Sequence, residues 1–208
     1  MNTVRSFDEL YGINPNYKRR SIDYEEYFAI MDLSKREKEK RIRLAQKLEY
    51  VFVFAMYLLG MYGDDSFIVE KIADKFKETL DEDIMLDEFL NAYIENLSKQ
   101  FVETTRNNPN NIYYLSKDRA MFSAENEANS VMNYYDYVYA KENGKTRKRW
   151  LTEGDNRVRE THTEVRYTTI PINDYFVVGE SLMLFPKDTS MDADAEEIVN
   201  CRCVVEYI

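Results

Sequence analysis

The spacing of apolar residues predicts a chain that is helical for its first two-thirds. Ser34-Lys35-Arg36-Glu37 has the S-x-x-E form of a capping box, in which the hydroxyl accepts from the third amide and the Glu reaches back to the cap. A long helix is expected from there to about Met61. Its first half, KREKEKRIRLAQK, is strongly charged, whereas its second half is apolar nearly all round. The first half is therefore expected to face solvent or a partner, and the second to be buried. Residues 50–62 form an apolar run of 13 broken only by Gly60. A bilayer span needs about 20 residues, so the run predicts a buried helix. Gly63-Asp64-Asp65-Ser66 ends it. Ile68, Ile72, Phe76 and Leu80 then recur every four residues and predict an amphipathic helix. Another is expected over about 83–105, with Phe89, Tyr93, Leu97 and Phe101 on its buried stripe. Asn107-Asn108-Pro109-Asn110-Asn111 reads as a loop and Ser116 as the cap of the next helix. Ala124, Ala128, Val131, Tyr135 and Val138 carry that helix to about Lys141, where Asn143-Gly144 stops it.

Beyond Gly144 the pattern changes to short extended pieces at 149–152, 166–172, 183–185 and 201–208, separated by turn-like and acidic segments. The expected fold class is α+β: a mainly helical N-terminal two-thirds followed by a small mixed α+β C-terminal unit. The expected division is a helical region over 1–114 and an α+β domain over 115–208, the latter opening with a long helix over 116–142. Upstream, residues 1–30 are Tyr-rich, with a turn at Asn14-Pro15-Asn16. The N-terminus has no apolar core of the kind a cleaved export signal carries, so an intracellular protein with reduced thiols is expected.

Composition narrows the function classes. With 44% hydrophobic residues the chain can build a core, and two Cys in 208 residues exclude a disulfide-dense scaffold. The formal net charge of −10 argues against a general nucleic-acid coat protein, because phosphate backbones reward positive surfaces. Lys145-Thr146-Arg147-Lys148-Arg149 reverses that sign locally. It reads either as a charged, solvated edge strand or as a contact for nucleic acid or an acidic partner surface.

Three further groups carry candidate chemistry. Asp155, Arg159 and His162 are spaced four and three apart, so a helix over this stretch would place them on one face. His162 is the single histidine, and it reads as a packed structural residue or as an acid-base group or metal ligand. Asn200-Cys201-Arg202-Cys203 would, on a strand, turn both sulfurs to one side. The cysteines read as small apolar core residues; the sharper alternative joins them to His162 in a metal site, although structural zinc pairs favour C-x2–4-C spacing. Asp188, Asp192, Asp194, Glu196 and Glu197 read as a solvated acidic loop, since an EF-hand would need a Gly that is missing here. No phosphate-binding, dinucleotide-binding, nucleophile-elbow or H-E-x-x-H signature occurs. No cofactor and no catalytic residue is therefore assigned.

Taken in order, Trp150-Leu151-Thr152, Asp155-Asn156-Arg157-Val158-Arg159 with His162, Asp174-Tyr175-Phe176 with Gly179, Pro186 with Asp188, and Asn200-Cys201-Arg202-Cys203 resemble the phage head morphogenesis family, the Mu F-like minor head proteins. Upstream, Arg119-Ala120-Met121-Phe122-Ser123-Ala124-Glu125 is similar to a helix of that family, with Asn129 at a position where a small polar residue is common. The resemblance covers about 115–208. Relatives often carry Gly four or five residues after the His, where Arg166-Tyr167 stand, and between the Pro and Asp, where Lys187 stands. Both departures bear on turn geometry, because Gly reaches positive φ cheaply.

The resemblance implies a low-copy structural component of a phage or prophage head rather than an enzyme. Its implied place is the virion, at the portal vertex or head interior, after assembly in the bacterial host cytoplasm. Its implied partners are the portal protein and capsid interior, and packaged DNA is a further candidate; no membrane and no small-molecule substrate are expected. The implied roles are head assembly, DNA packaging or ejection. Some relatives carry a C-terminal toxin domain, and none is expected on this chain. Glu125, Trp150, Asp155, Arg157, Arg159, His162, Asn200, Cys201, Arg202 and Cys203 are the motif residues. Of these, Asp155, Arg157, Arg159, His162, Asn200 and Arg202 are expected to form a polar network between the short helix and the last strand. The competing classes are an enzyme acting on nucleic acid or host targets, using His162 with Asp155 or a metal at Cys201 and Cys203, and a nucleic-acid-binding module acting through Lys145, Arg147, Lys148 and Arg149.

Overall fold

The computed structural model describes residues 23–80, 84–153 and 157–208. The turn expected at Asn14-Pro15-Asn16, and Asp155 with its neighbour Asn156, lie outside these. The elements run α1 (Tyr24–Ala29), α2 (Lys35–Met61), α3 (Asp65–Leu80), α4 (Glu88–Arg106), a 3-10 turn (Ile112–Leu115), α5 (Lys117–Glu142), β1 (Arg147–Leu151), α6 (Glu160–Glu164), β2 (Thr169–Pro171), β3 (Phe176–Val178), β4 (Ser181–Met183), α7 (Ala195–Ile198) and β5 (Val204–Tyr207). The fold class is α+β as expected. Two compact units divide the chain, one containing Gln46–Ala124 and the other Asp23–Ala45 with Glu125–Ile208.

The first unit is helical. At the start of α2, in the stretch that belongs to the second unit, the capping box forms as the sequence dictates: Glu37 Oε2 accepts from the Ser34 amide at 2.9 Å, and Ser34 Oγ accepts from the Glu37 amide at 3.3 Å. Helix α2 is long and apolar enough, by length and composition, to cross a membrane. Its Val51, Phe52, Ala55 and Met56 are nonetheless fully buried, with Phe52 edge-on to Phe76 and tilted against Phe101. That is the environment of a core helix. Ile68, Ile72, Phe76 and Leu80 form the buried stripe of α3, as their spacing requires. In α4 the buried stripe is Leu90, Ile94, Ser98, Phe101, Val102 and Thr105, so Phe101 is buried as expected while the rest of the stripe lies one position on. Phe89 and Tyr93 stack on each other at its margin instead. Arg106 closes the end of α2: it donates to the carbonyls of Leu59 and Tyr62 and pairs with Asp65 at 2.8 Å. These are among the carbonyls that a helix end leaves without partners. Arg119 donates to Phe101 O in α4 and to Tyr114 O in the 3-10 turn while lying over the rings of both residues.

In the second unit, Gly144 ends α5 with φ +72, and the Lys145 amide reaches back to Ala140 O. The chain then enters a three-stranded antiparallel sheet in the order β2-β1-β5, beside a separate β3-β4 hairpin. The basic segment is therefore not an edge strand. Arg149 lies opposite Thr169 on one side and Glu206 on the other, so β1 is central. Alternation along β1 buries Lys148 and Trp150 on one face. Trp150 joins Phe176, Val178, Met183, Cys201 and Cys203 in the core of this unit. Lys148 Nζ donates to Leu184 O at 2.7 Å and lies over the rings of Tyr137 and Phe176.

Burial holds the Lys148 pKa down at about 8 against an ordinary 10.5, although Asp188 and Asp174 act to raise it. Lys187, also buried, is likewise held at about 8 by burial. Between these values the unfolded chain binds more protons than the folded one, so stability rises with pH across that window. Above pH 10 Tyr27 and Tyr207 act in the opposite sense, because burial raises their pKa above the ordinary 10.0. Urea unfolding from pH 7 to 10 is expected to show this rise above pH 8, and Lys148→Met to flatten it. An unchanged slope in that variant would show that Lys148 does not contribute.

Candidate functional site

Of the motif residues, Trp150, His162, Cys201 and Cys203 come together at the segment that runs from α7 into β5. Cys201 and Cys203 lie before β5 rather than on it, since the strand begins at Val204. Asn200 takes the left-handed φ of +60 and turns the chain into the C-x-C stretch. Both cysteines are free thiols and only 2% exposed. His162 comes from α6, a helix of five residues that starts later than its expected position and has Arg159 as its N-cap. The imidazole is 1% exposed and lies against both sulfurs. Its Nδ1 is 3.3 Å from Cys203 Sγ and 3.6 Å from Cys201 Sγ. Its Nε2 is 2.8 Å from Glu197 Oε2, and Thr161 Oγ1 donates to that same oxygen at 2.9 Å. Trp150 stands edge-on to the imidazole at 5.7 Å.

The charges within this group are coupled. Burial opposes protonation of His162, but the Cys201 sulfur and the Glu197 carboxylate overcome it and raise the imidazole pKa. Burial likewise opposes ionisation of Cys201, yet hydrogen bonds from Cys203 and His162 hold its thiol well below the usual range. Cys203 moves the other way, raised by its bond to Cys201 and by burial. Thiol, imidazole and carboxylate thus stand in the order of a nucleophile, its base and the group that orients the base. The imidazole and both sulfurs are buried among the described residues.

One face of α5 holds the C-x-C segment in place. Asn126 Oδ1 accepts from the Asn200 amide at 3.1 Å. Asn129 Nδ2 donates to Cys201 O at 3.2 Å, and Asn133 Nδ2 donates to Cys203 O and Pro186 O at 3.3 and 3.2 Å. Behind them, the fully buried Arg41 donates Nε to Asn129 Oδ1 and Nη2 to Asn133 Oδ1, each at 3.2 Å, and pairs with Asp136 at 2.8 Å. Burial raises the Asp136 pKa, with Arg41 opposing it. Lys187 Nζ donates to the backbone and side-chain oxygens of Asn126.

Of the other expected network members, Arg159 donates to Val199 O, next to Asn200. Arg157 is exposed and Arg202 half-buried. Glu125 is buried in α5, and its charge raises the Tyr27 pKa after burial itself. The acidic loop is only partly solvated. Asp188 is fully buried and accepts from the amides of Leu184 and Ser190, while Glu197 faces His162. Of the basic cluster, Lys145 and Arg147 are exposed and Arg149 pairs with Glu206 at 3.1 Å.

Both departures from the resembled pattern keep the conformation that Gly would provide: Tyr167 has φ +62 and Lys187 φ +73. At Lys187 the buried ammonium bonds help hold this turn.

Sequence reasoning missed Arg41, Asn133 and Glu197. The signal for Arg41 was present, because it falls on the stripe continued by Leu44, Ala45 and Leu48. A cation in an apolar stripe points to a buried partner.

The family model described as Phage Mu protein F like protein matches residues 74–206. The chain belongs to the Phage Mu protein F like family. The match begins in α3, well upstream of the motifs at 115–208, and runs almost to the end of β5. It makes this a phage-head-related protein, in a family that is generally structural. No curated protein and no solved structure matches at a significant level.

Gly179, in the β3-β4 turn, gives this Mu F-like site the room it needs. Its φ is +60, and a Cβ there would lie 2.8 Å from Glu197 Oε1 and 3.2 Å from Thr161 Cγ2. Gly179→Ala is expected to displace Glu197 from His162 and to lower the Tm; a crystal structure of the variant with the 2.8 Å contact intact would refute this. Arg41→Met is expected to cost about 3–5 kcal/mol, as for a broken buried pair. Asn133→Ala should cost about 1–3 kcal/mol by leaving carbonyls unpaired. Their effects should be non-additive in a double-mutant cycle measured by urea unfolding.

Proposed function

We propose that this chain is a minor head protein that sits at the portal vertex or head interior of a phage or prophage virion and assists head assembly, DNA packaging or ejection. The observation that carries this reading is the family match over residues 74–206. In this reading the residues upstream of 115 are the docking region for portal or capsid, and 115–208 form the family domain.

The charge distribution favours protein partners over packaged DNA. Lys148 is buried and Arg149 is paired with Glu206, which leaves Lys145 and Arg147 as the exposed cations of the basic segment. Two cations release few counterions from a phosphate backbone, so tight, steeply salt-dependent DNA binding is not expected from this segment. Within the motif network, the Asn side chains and Arg159 bind backbone carbonyls, an arrangement that fixes one conformation.

Quantitative mass spectrometry of purified heads from the phage or the induced prophage tests the assignment. The expected result is this chain at low copy number per head, co-purifying with the portal protein. Its absence from heads while abundant in the lysate would overturn it.

A further inference from the structure

We propose that His162 Nδ1, Cys201 Sγ and Cys203 Sγ form a binding site for a single Zn2+ ion. This goes beyond the head assignment and is independent of where in the virion the chain sits.

The three donor atoms lie within 4.8 Å of one another. The two nitrogen–sulfur separations, 3.3 and 3.6 Å, are those of ligands around one small ion. Bond lengths of about 2.0–2.1 Å for Zn–N and 2.3 Å for Zn–S put N and S about 3.5 Å apart across a tetrahedral angle. Two thiolates and an imidazole also favour zinc over calcium or magnesium, which take oxygen ligands.

The surroundings are those of a ligand set held ready. Glu197 accepts from the far ring nitrogen, at 2.8 Å, which leaves the lone pair of Nδ1 facing the sulfurs. A carboxylate behind a ligating histidine is the usual means of fixing its tautomer, and Thr161 Oγ1 holds that carboxylate in turn. Asn129 and Asn133 hold the carbonyls of both cysteines, so the backbone that carries the two sulfurs is fixed. The Trp150 indole stands edge-on to the imidazole in the same buried core as both cysteines, so apolar side chain surrounds the donor set. The short C-x-C spacing is no obstacle, since both sulfurs already lie against the same ring nitrogen of His162. Three protein ligands leave one tetrahedral position, for water.

The competing uses of this cluster are a disulfide and an apolar core with no metal. The test uses the full chain expressed with zinc supplementation. Elemental analysis is expected to find one zinc per chain, and X-ray absorption to find two sulfur ligands and one imidazole in its first shell. Cobalt substitution should give a thiolate-to-cobalt charge-transfer band. Cys201→Ser with Cys203→Ser should abolish the band. Should that double variant fail to fold, Glu197→Gln keeps all three ligands and is expected to weaken zinc affinity about 10–100-fold, as removal of an outer-shell partner does. Folded wild-type protein without bound zinc, with a Tm unmoved by added zinc, would overturn the proposal. So would a Cys201–Cys203 disulfide, or a bound zinc whose first shell holds only oxygen and nitrogen. None of these outcomes depends on whether the chain is found in heads.

Discussion

Arg41 is fully buried, and its guanidinium faces two asparagines before it faces a carboxylate. Asn129 and Asn133 accept from it and donate onward to the carbonyls of Cys201 and Cys203. The charge of one helix is thereby passed through the side-chain amides of a second to the backbone of an irregular segment. An unpaired polar group in a low-dielectric interior costs more than a paired one returns, so the relay rests on its paired donors, Arg41 Nε and Nη2, while Arg41 Nη1 has no partner among the described residues. Ordering of the C-x-C segment, of His162 against it and of Glu197 behind His162 all follows from this chain of donors and acceptors.

Backbone oxygens play the part of counter-charges elsewhere as well. Lys148 is held by Leu184 O, Lys187 by Asn126 O, and Arg119 by the carbonyls of Phe101 and Tyr114. A protein with net charge −10 has carboxylates to spare, yet these buried cations draw on carbonyls at hydrogen-bond distance. Carbonyls carry no charge of their own to desolvate, so a cation can be buried against them without a second ion being taken out of water. The same arrangement explains why a basic run in the sequence does not become a basic surface: alternation on a central strand turns Lys148 inward.

The parts of the fold that were legible in the sequence are those fixed by neighbours along the chain. The capping box at Ser34 and Glu37, the cap at Ser116 and the stop at Gly144 are local chemistry and formed where expected. The stripe of α3 was legible because its apolar residues recur without ambiguity. That of α4 was misplaced by one position, because Phe89 and Tyr93 can pack on each other at the margin as well as in the core. The site was legible in its composition, since His162, Cys201 and Cys203 were singled out, but not in its support. Arg41 lies 88 and 92 positions from its asparagine partners, and no local pattern links them. The edge-strand reading of the basic segment failed for a similar reason, because β5 pairs with β1 from the far end of the chain.

The asparagine face of α5 also ties two unlike repeats together. Asn129 and Asn133 are one helical step of four apart, a rise of about 6.0 Å. The carbonyls they bind belong to residues two apart, an interval that would span about 6.6 Å in extended backbone. The two rulers agree at this interval and would drift out of step if a residue were added to or removed from either. The single residue between the cysteines is thus a length set by commensurability with the helix. Arg202 occupies a place that this spacing requires, whatever its side chain does besides.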